Sequence, residues 1–98
     1  MTNQEIYKLA AEKWGNAKQL IKAIEELSEL QKELCKVINT PNVQTILNIA
    51  EEMADVEIML EQIHFIFSFR DEKFSELVAV NKEIKLERLE NRLKDLES

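Results

Sequence analysis

An all-α bundle, built on an antiparallel pair of long helices and completed by oligomerisation, is the fold this sequence predicts. Three observations lead there. The 98 residues include a single glycine and a single proline, too few breakers for a chain of short strands and tight turns. Apolar residues recur at intervals of three and four over long stretches, the period of a helix with one buried face. One stretch, residues 43–69, is apolar around most of its circumference when projected at ~100° per residue. A helix of that kind is central or lies at a subunit interface.

The elements follow in order. Residues 3–13 read as a short first helix with Ile6, Leu9 and Ala10 on its apolar side. Trp14-Gly15-Asn16 supplies a turn at the only glycine. A second helix is expected from Ala17 to Ile38, with Leu20, Ile21, Ile24, Leu27, Leu30, Leu34 and Ile38 repeating at helical spacing. Asn39-Thr40-Pro41-Asn42 ends it, because proline cannot continue a helix and disfavours helical geometry in the residue before it. The third helix, Val43 to Phe69, leaves one narrow stripe that reads as solvated: Glu57, Glu61, His64 and Ser68. From Asp71 the chain is helical again. Leu86, Leu89, Leu93 and Leu96 form a ladder like a short coiled-coil seam, and Asn81 is a possible break between two helical pieces. The whole, 1–98, reads as a single domain.

Charge and composition narrow the function classes. A net charge of −6 is the reverse of the basic footprint a nucleic-acid polymer needs. A free nucleotide escorted by a divalent cation stays compatible. No stretch reaches the ~18 uninterrupted apolar residues of a membrane span, and Met-Thr-Asn-Gln-Glu lacks the features of a signal peptide, so a cytoplasmic protein is expected. The single Cys35 cannot form an internal disulfide, which fits a reducing compartment. Beside Leu34 it reads as a small buried filler. His64 has no second histidine or cysteine near it, so zinc does not fit.

The chemistry-bearing pattern is a pair of acidic signatures, Glu25-Glu26-x-x-Glu29 and Glu52-x-x-Asp55. Each pair lies about one helical turn apart, on neighbouring lines of its helix. Acid pairs at this spacing are also ordinary features of solvated helix faces. Here Asp55 shares a line with Met59, Ile63 and Ile66, Glu52 lies beside Val56 and Ile63, and Glu26 borders Leu30 and Val37. Carboxylates at the edge of an apolar face cost free energy unless something offsets the charge. A hard cation such as Mg²⁺, which takes oxygen ligands and keeps waters or substrate phosphates, does so. Lys22 and Lys32 are the nearby cations on the second helix, and none stands beside the acids on the third. On the last helix Lys85, Arg88 and Arg92 share a line, suited either to phosphates or to neighbouring Glu87, Glu90 and Asp95. Trp14 is placed either to stack on a base or to anchor the first helix.

EExxE followed by ExxD on two long helices resembles the all-alpha NTP pyrophosphohydrolases, the MazG-like superfamily, with its dimeric dUTPases, dCTP pyrophosphatases and phosphoribosyl-ATP pyrophosphatase. The likeness is carried by Ala23-Ile24-Glu25-Glu26-Leu27-Ser28-Glu29-Leu30, by Ile49-Ala50-Glu51-Glu52-Met53-Ala54-Asp55-Val56, by Lys13-Trp14-Gly15 and by Lys85-Leu86-Glu87-Arg88. It implies hydrolysis of a nucleoside triphosphate to a monophosphate and pyrophosphate. By position, Glu26, Glu29, Glu52 and Asp55 are then the Mg²⁺ ligands (Mn²⁺ as a substitute), and Glu25 orients or deprotonates the attacking water. Lys85 and Arg88 contact phosphates, and Trp14 is the candidate for the base. One position departs from the pattern. Glu83 stands two residues before Lys85, where the family often has asparagine, and Asn81 is the nearest such residue. The implied partners are a free nucleotide and further copies of the chain, as a homodimer or homotetramer. Two readings stand beside this one: phosphoribosyl-ATP pyrophosphatase on the same cage, and a non-enzymatic helical oligomerisation module.

Overall fold

Four helices and no strand make up the described residues, 1–68 and 71–97, of the computed structural model. They are α1 (Asn3–Trp14), α2 (Asn16–Asn39), α3 (Val43–Ser68) and α4 (Phe74–Glu97). Backbone contacts group them into two compact units, Met1–Ile66 and Phe67–Ser98. The expected end of the third helix at Phe69 lies outside the described residues. No helix among the described residues is long and apolar enough to cross a membrane.

Each helix of the first unit begins or ends on a local device legible in the chain. Thr2 caps α1, its hydroxyl accepting from the Glu5 amide at 3.1 Å, and Glu5 places negative charge in the first turn. The α1–α2 joint is tighter than a turn of several residues. Gly15 alone separates the helices, at φ 87° and ψ 153°, with its N–H donating to the Ala11 carbonyl at 2.8 Å. At the other end of α2 the Thr40 N–H closes on the Lys36 carbonyl at 2.7 Å. Asn42 and Thr45 then cap α3 reciprocally. The Thr45 N–H donates to Asn42 Oδ1 (2.9 Å) and the Asn42 N–H donates to Thr45 Oγ1 (3.1 Å). With so short a connection, α2 and α3 form an antiparallel hairpin. Its interior is lined by Ala23 from α2 and by Val56, Met59 and Ile66 from α3.

The first helix departs from its expected orientation. Ile6 and Leu9 are exposed, and Tyr7 is the buried residue, with Ala10 and Ala11 half-buried on the same side. The reason is that α1 meets α3 through polar groups as well as apolar ones. The Tyr7 hydroxyl donates to the Glu61 carboxylate. Gln62, only 3% exposed, donates from Nε2 to the Tyr7 carbonyl at 3.0 Å. Small alanines one turn from Tyr7 let the helices approach closely enough for these bonds. Part of the stripe expected to be solvated is therefore an interhelical contact: Glu61 is engaged, His64 and Ser68 are half-buried, and Glu57 remains exposed. Hydrogen bonding to Glu61, with burial and the carboxylate's charge behind it, holds the Tyr7 phenol above its ordinary pKa.

Other expectations are corrected. Cys35 is exposed rather than a buried filler. It lies off the face of α2 that carries Ala23, Leu30 and Val37 toward α3. In the second unit, Asp71 precedes the helix rather than opening it: its carboxylate accepts from the Lys73 N–H at 2.9 Å, and α4 starts at Phe74. The Phe67 and Phe74 rings lie 5.3 Å apart, tilted by 38°. Asn81 does not break α4. Its amide donates back to the Leu77 carbonyl at 2.8 Å and the helix continues.

The Gly15 joint yields a direct test. Its backbone lies where glycine alone is comfortable, and a Cβ there meets nothing within 4 Å. Gly15→Ala is therefore expected to destabilise through backbone strain alone, by about 1–3 kcal/mol. Urea unfolding measures this, and an unchanged midpoint would contradict the assigned joint.

Candidate metal centre

The hairpin brings α2 and α3 together with their acids in opposing positions. Carboxylate oxygens of Glu26 on α2 and of Glu52 and Asp55 on α3 all lie within 4.8 Å of one another. Glu26 and Glu52 are half-buried and Asp55 is exposed. The burial expected for both acids of the second signature thus falls on Glu52. Asp55 sits at the open rim, although Met59 and Ile66 on its line are buried. Glu29, the exposed acid one turn along α2, stands outside this trio but acts on Glu52 electrostatically.

Glu52 is the pivot of the cluster. Its Oε2 is buried without a hydrogen-bond partner. Desolvation, followed by the charges of Glu26, Asp55, Glu29 and Glu33, pushes its carboxyl above the ordinary value of 4.5. Five acids from two helices therefore share one electrostatic neighbourhood, one more than the four ligands the resemblance implies. The additional acid is Glu33, buried at 8% exposure, with one oxygen 3.2 Å from Lys36 Nζ and the other, Oε2, unpartnered. Its signal was available in the sequence. Glu33 lies on the line of Glu26, Leu30 and Val37, the line whose apolar members mark the core edge.

One cation is close. Lys22 Nζ lies 3.0 Å from Glu26 Oε1, one turn along α2. The hydrogen bond and charge of Glu26, with Glu25 and Asp55 adding to them, raise the ammonium's pKa. The expectation that no cation stands near the acids of the third helix is corrected here: the antiparallel register delivers Lys22 from α2 into the field of Asp55. Lys22 pairs with Glu26 and Lys36 with one oxygen of Glu33, and Glu52 Oε2 and Glu33 Oε2 stay unsatisfied. The donor set of Glu26, Glu52 and Asp55 is all carboxylate oxygen, with Glu52 Oε2 buried and orphaned, and this fits a hard divalent cation.

The remaining candidates stand elsewhere. Glu25 is exposed on α2 beside Glu26. Trp14 ends α1 at 56% exposure, lining a shallow depression with Met1, Ile6, Leu9 and Lys13. Tyr7, not Trp14, holds α1 against α3. Lys85 and Arg88 are exposed on α4, in the second unit, where Lys85 and Lys82 flank an apolar groove containing Val78, Leu86 and Leu89.

A carboxyl with a raised folded-state pKa keeps its proton longer in the folded chain. Folding stability should then rise as pH falls from neutral through that raised value, and level off below the ordinary carboxylate range. With divalent cations chelated, Glu52→Gln is expected to exceed the parent in stability at neutral pH, and its advantage should shrink on acidification. Urea unfolding across that range checks this. Parallel pH profiles for the two proteins would contradict the assigned repulsion.

No family model matches the chain, and neither does any curated protein or solved structure.

Proposed function

We propose that the chain is a Mg²⁺-dependent nucleoside triphosphate pyrophosphohydrolase of the MazG-like type. In this reading an NTP or dNTP and water give a nucleoside monophosphate and pyrophosphate. The observation that supports it most is the convergence of Glu26, Glu52 and Asp55 within 4.8 Å from facing helices, with a buried Glu52 oxygen lacking any partner. Bound Mg²⁺ supplies neutralisation of the polyphosphate and a more acidic water. The chain's residues do the rest. Glu26, Glu29, Glu52 and Asp55 hold the cation, with Glu52 as the inner ligand and Asp55 as the rim ligand. Glu25, next to Glu26 and exposed, orients the attacking water and accepts its proton. Lys85 and Arg88 contact phosphates, and Trp14 presents an exposed indole to a base. The protein works in the cytoplasm on the free nucleotide pool.

The proposal includes self-association as a homodimer or homotetramer. Ile24, Leu27, Leu34 and Ile38 on α2 and Ile46, Met53 and Leu60 on α3 are all exposed. They form apolar lines at helical spacing of the kind that mark subunit contacts. The same feature supports the competing reading of a purely structural helical module, as do the exposed Leu86, Leu89, Leu93 and Leu96 of α4.

Pyrophosphate release from a panel of NTPs, dNTPs and phosphoribosyl-ATP, with and without Mg²⁺, separates these readings. The expected outcome is Mg²⁺-dependent turnover of at least one nucleoside triphosphate. Asp55→Asn and Glu52→Gln should each lower it roughly 10–100-fold or more. Turnover of phosphoribosyl-ATP alone would move the activity within the superfamily, and no turnover at all would favour the structural module. Sedimentation equilibrium should give a mass at least twice that of the 11.5 kDa chain; a monomer at all concentrations would contradict the self-association.

A further inference from the structure

We infer that the C-terminal half of α4 is a self-association seam that pairs with α4 of a second copy of this chain, parallel and in register. The inference rests on the self-association put forward above and not on the hydrolase activity. It adds the surface and the orientation.

Three observations carry it. No described residue of α4 is buried, and Leu86, Leu89, Leu93 and Leu96 stand 47–82% exposed. These leucines are spaced three, four and three apart, which sets them on one stripe of the helix, at the a and d positions of a heptad. An apolar groove lined by Val78, Lys82, Lys85, Leu86 and Leu89 carries the stripe toward the start of α4. The charges beside the stripe select its occupant. With Leu86 and Leu93 at a, the g positions are Lys85 and Arg92, and the e positions are Glu83, Glu90 and Glu97. One flank is thus basic and the other acidic. In a parallel, in-register pair each g residue faces the following e residue of the second copy. Lys85 then meets Glu90 and Arg92 meets Glu97, and symmetry repeats both pairs on the other side. An antiparallel pair sets g against g and e against e, so like charges meet along both flanks. Within one chain Glu90 makes an exposed pair with Lys94, 3.2 Å away and one turn along α4. Such a pair is worth little and does not compete strongly with the seam. Lys85 is engaged at the seam, which makes Arg88, off the stripe at position c, the freer of the two for a phosphate.

The test uses the full chain, with sedimentation equilibrium as its readout. Glu90→Lys combined with Glu97→Lys leaves every leucine in place and turns the acidic flank basic. Self-association should weaken roughly 10–100-fold at low salt and by less in about 1 M NaCl, with helicity retained. Lys85→Glu combined with Arg92→Glu should weaken it likewise, and an equimolar mixture of the two variants should regain the parent's affinity. Orientation is read by cross-linking in a Cys35→Ser background. Leu93→Cys should oxidise to a linked pair, because a parallel register sets position 93 against itself. Linkage confined to a mixture of Leu89→Cys and Leu93→Cys chains would mark an antiparallel pair and overturn the inference. If a charge variant loses helicity, the cross-linking arm decides alone. An oligomeric parent whose affinity neither charge variant alters would overturn the seam and leave self-association to the apolar lines of α2 and α3. A parent that is monomeric at every concentration removes the self-association reading and the seam with it.

Discussion

Repulsion between carboxylates held across the α2–α3 interface is the constraint on which the rest of this structure depends. Five acids share that interface: Glu26, Glu29 and Glu33 from one helix, Glu52 and Asp55 from the other. A hairpin that merely needed to close would fill these positions with the leucines and isoleucines it instead leaves exposed. The burial of Glu33 and the unpartnered oxygen of Glu52 set the metal-free fold against its own charge. Lys22 relieves the rim and Lys36 relieves one oxygen of Glu33. Neither reaches Oε2 of Glu33 or Oε2 of Glu52.

The other elements can be understood as fixing this arrangement. The Asn42–Thr45 capping box sets where α3 begins, and so sets the antiparallel register that brings Glu52 and Asp55 opposite Glu26. A one-residue slip would rotate the acids of α3 by about 100° and disperse the cluster. On its far side α3 is held by α1 through Tyr7, Glu61 and Gln62. A helix tied by directional bonds rather than by apolar contact alone is less free to rotate about its axis. The single glycine between α1 and α2, at a positive φ that glycine adopts freely, joins this clamp to the acid-bearing helix with no slack.

The sequence made the helices legible because their causes are local: breakers at Gly15 and Pro41 and apolar repeats at three and four. Glu26, Glu52 and Asp55 were legible for the same reason, since a helix places acids one turn apart wherever it packs. What was not legible depends on partners distant in the chain. Periodicity favoured Ile6 and Leu9 as the buried side of α1, because it does not see that a tyrosine hydroxyl finds Glu61 and that a buried Gln62 supplies a donor. It read Cys35 as buried because Leu34 is apolar, although adjacent positions on a helix point about 100° apart. Lys22 looked remote from Asp55 because only the hairpin register joins them. Glu33 lies outside both short motifs, and its only signal in the sequence is its place on the line of Leu30 and Val37 along α2.

The measurement that bears most directly on the central claim is the thermal midpoint of the nucleotide-free protein in MgCl₂, compared with NaCl at matched ionic strength. A cation bound by the native acids stabilises by mass action, so the midpoint should climb with the logarithm of Mg²⁺ concentration once binding begins. Matched NaCl offers screening alone and should produce a smaller, saturating rise. Equal shifts in the two salts would contradict a site: the acids would then be a screened surface and not a cage.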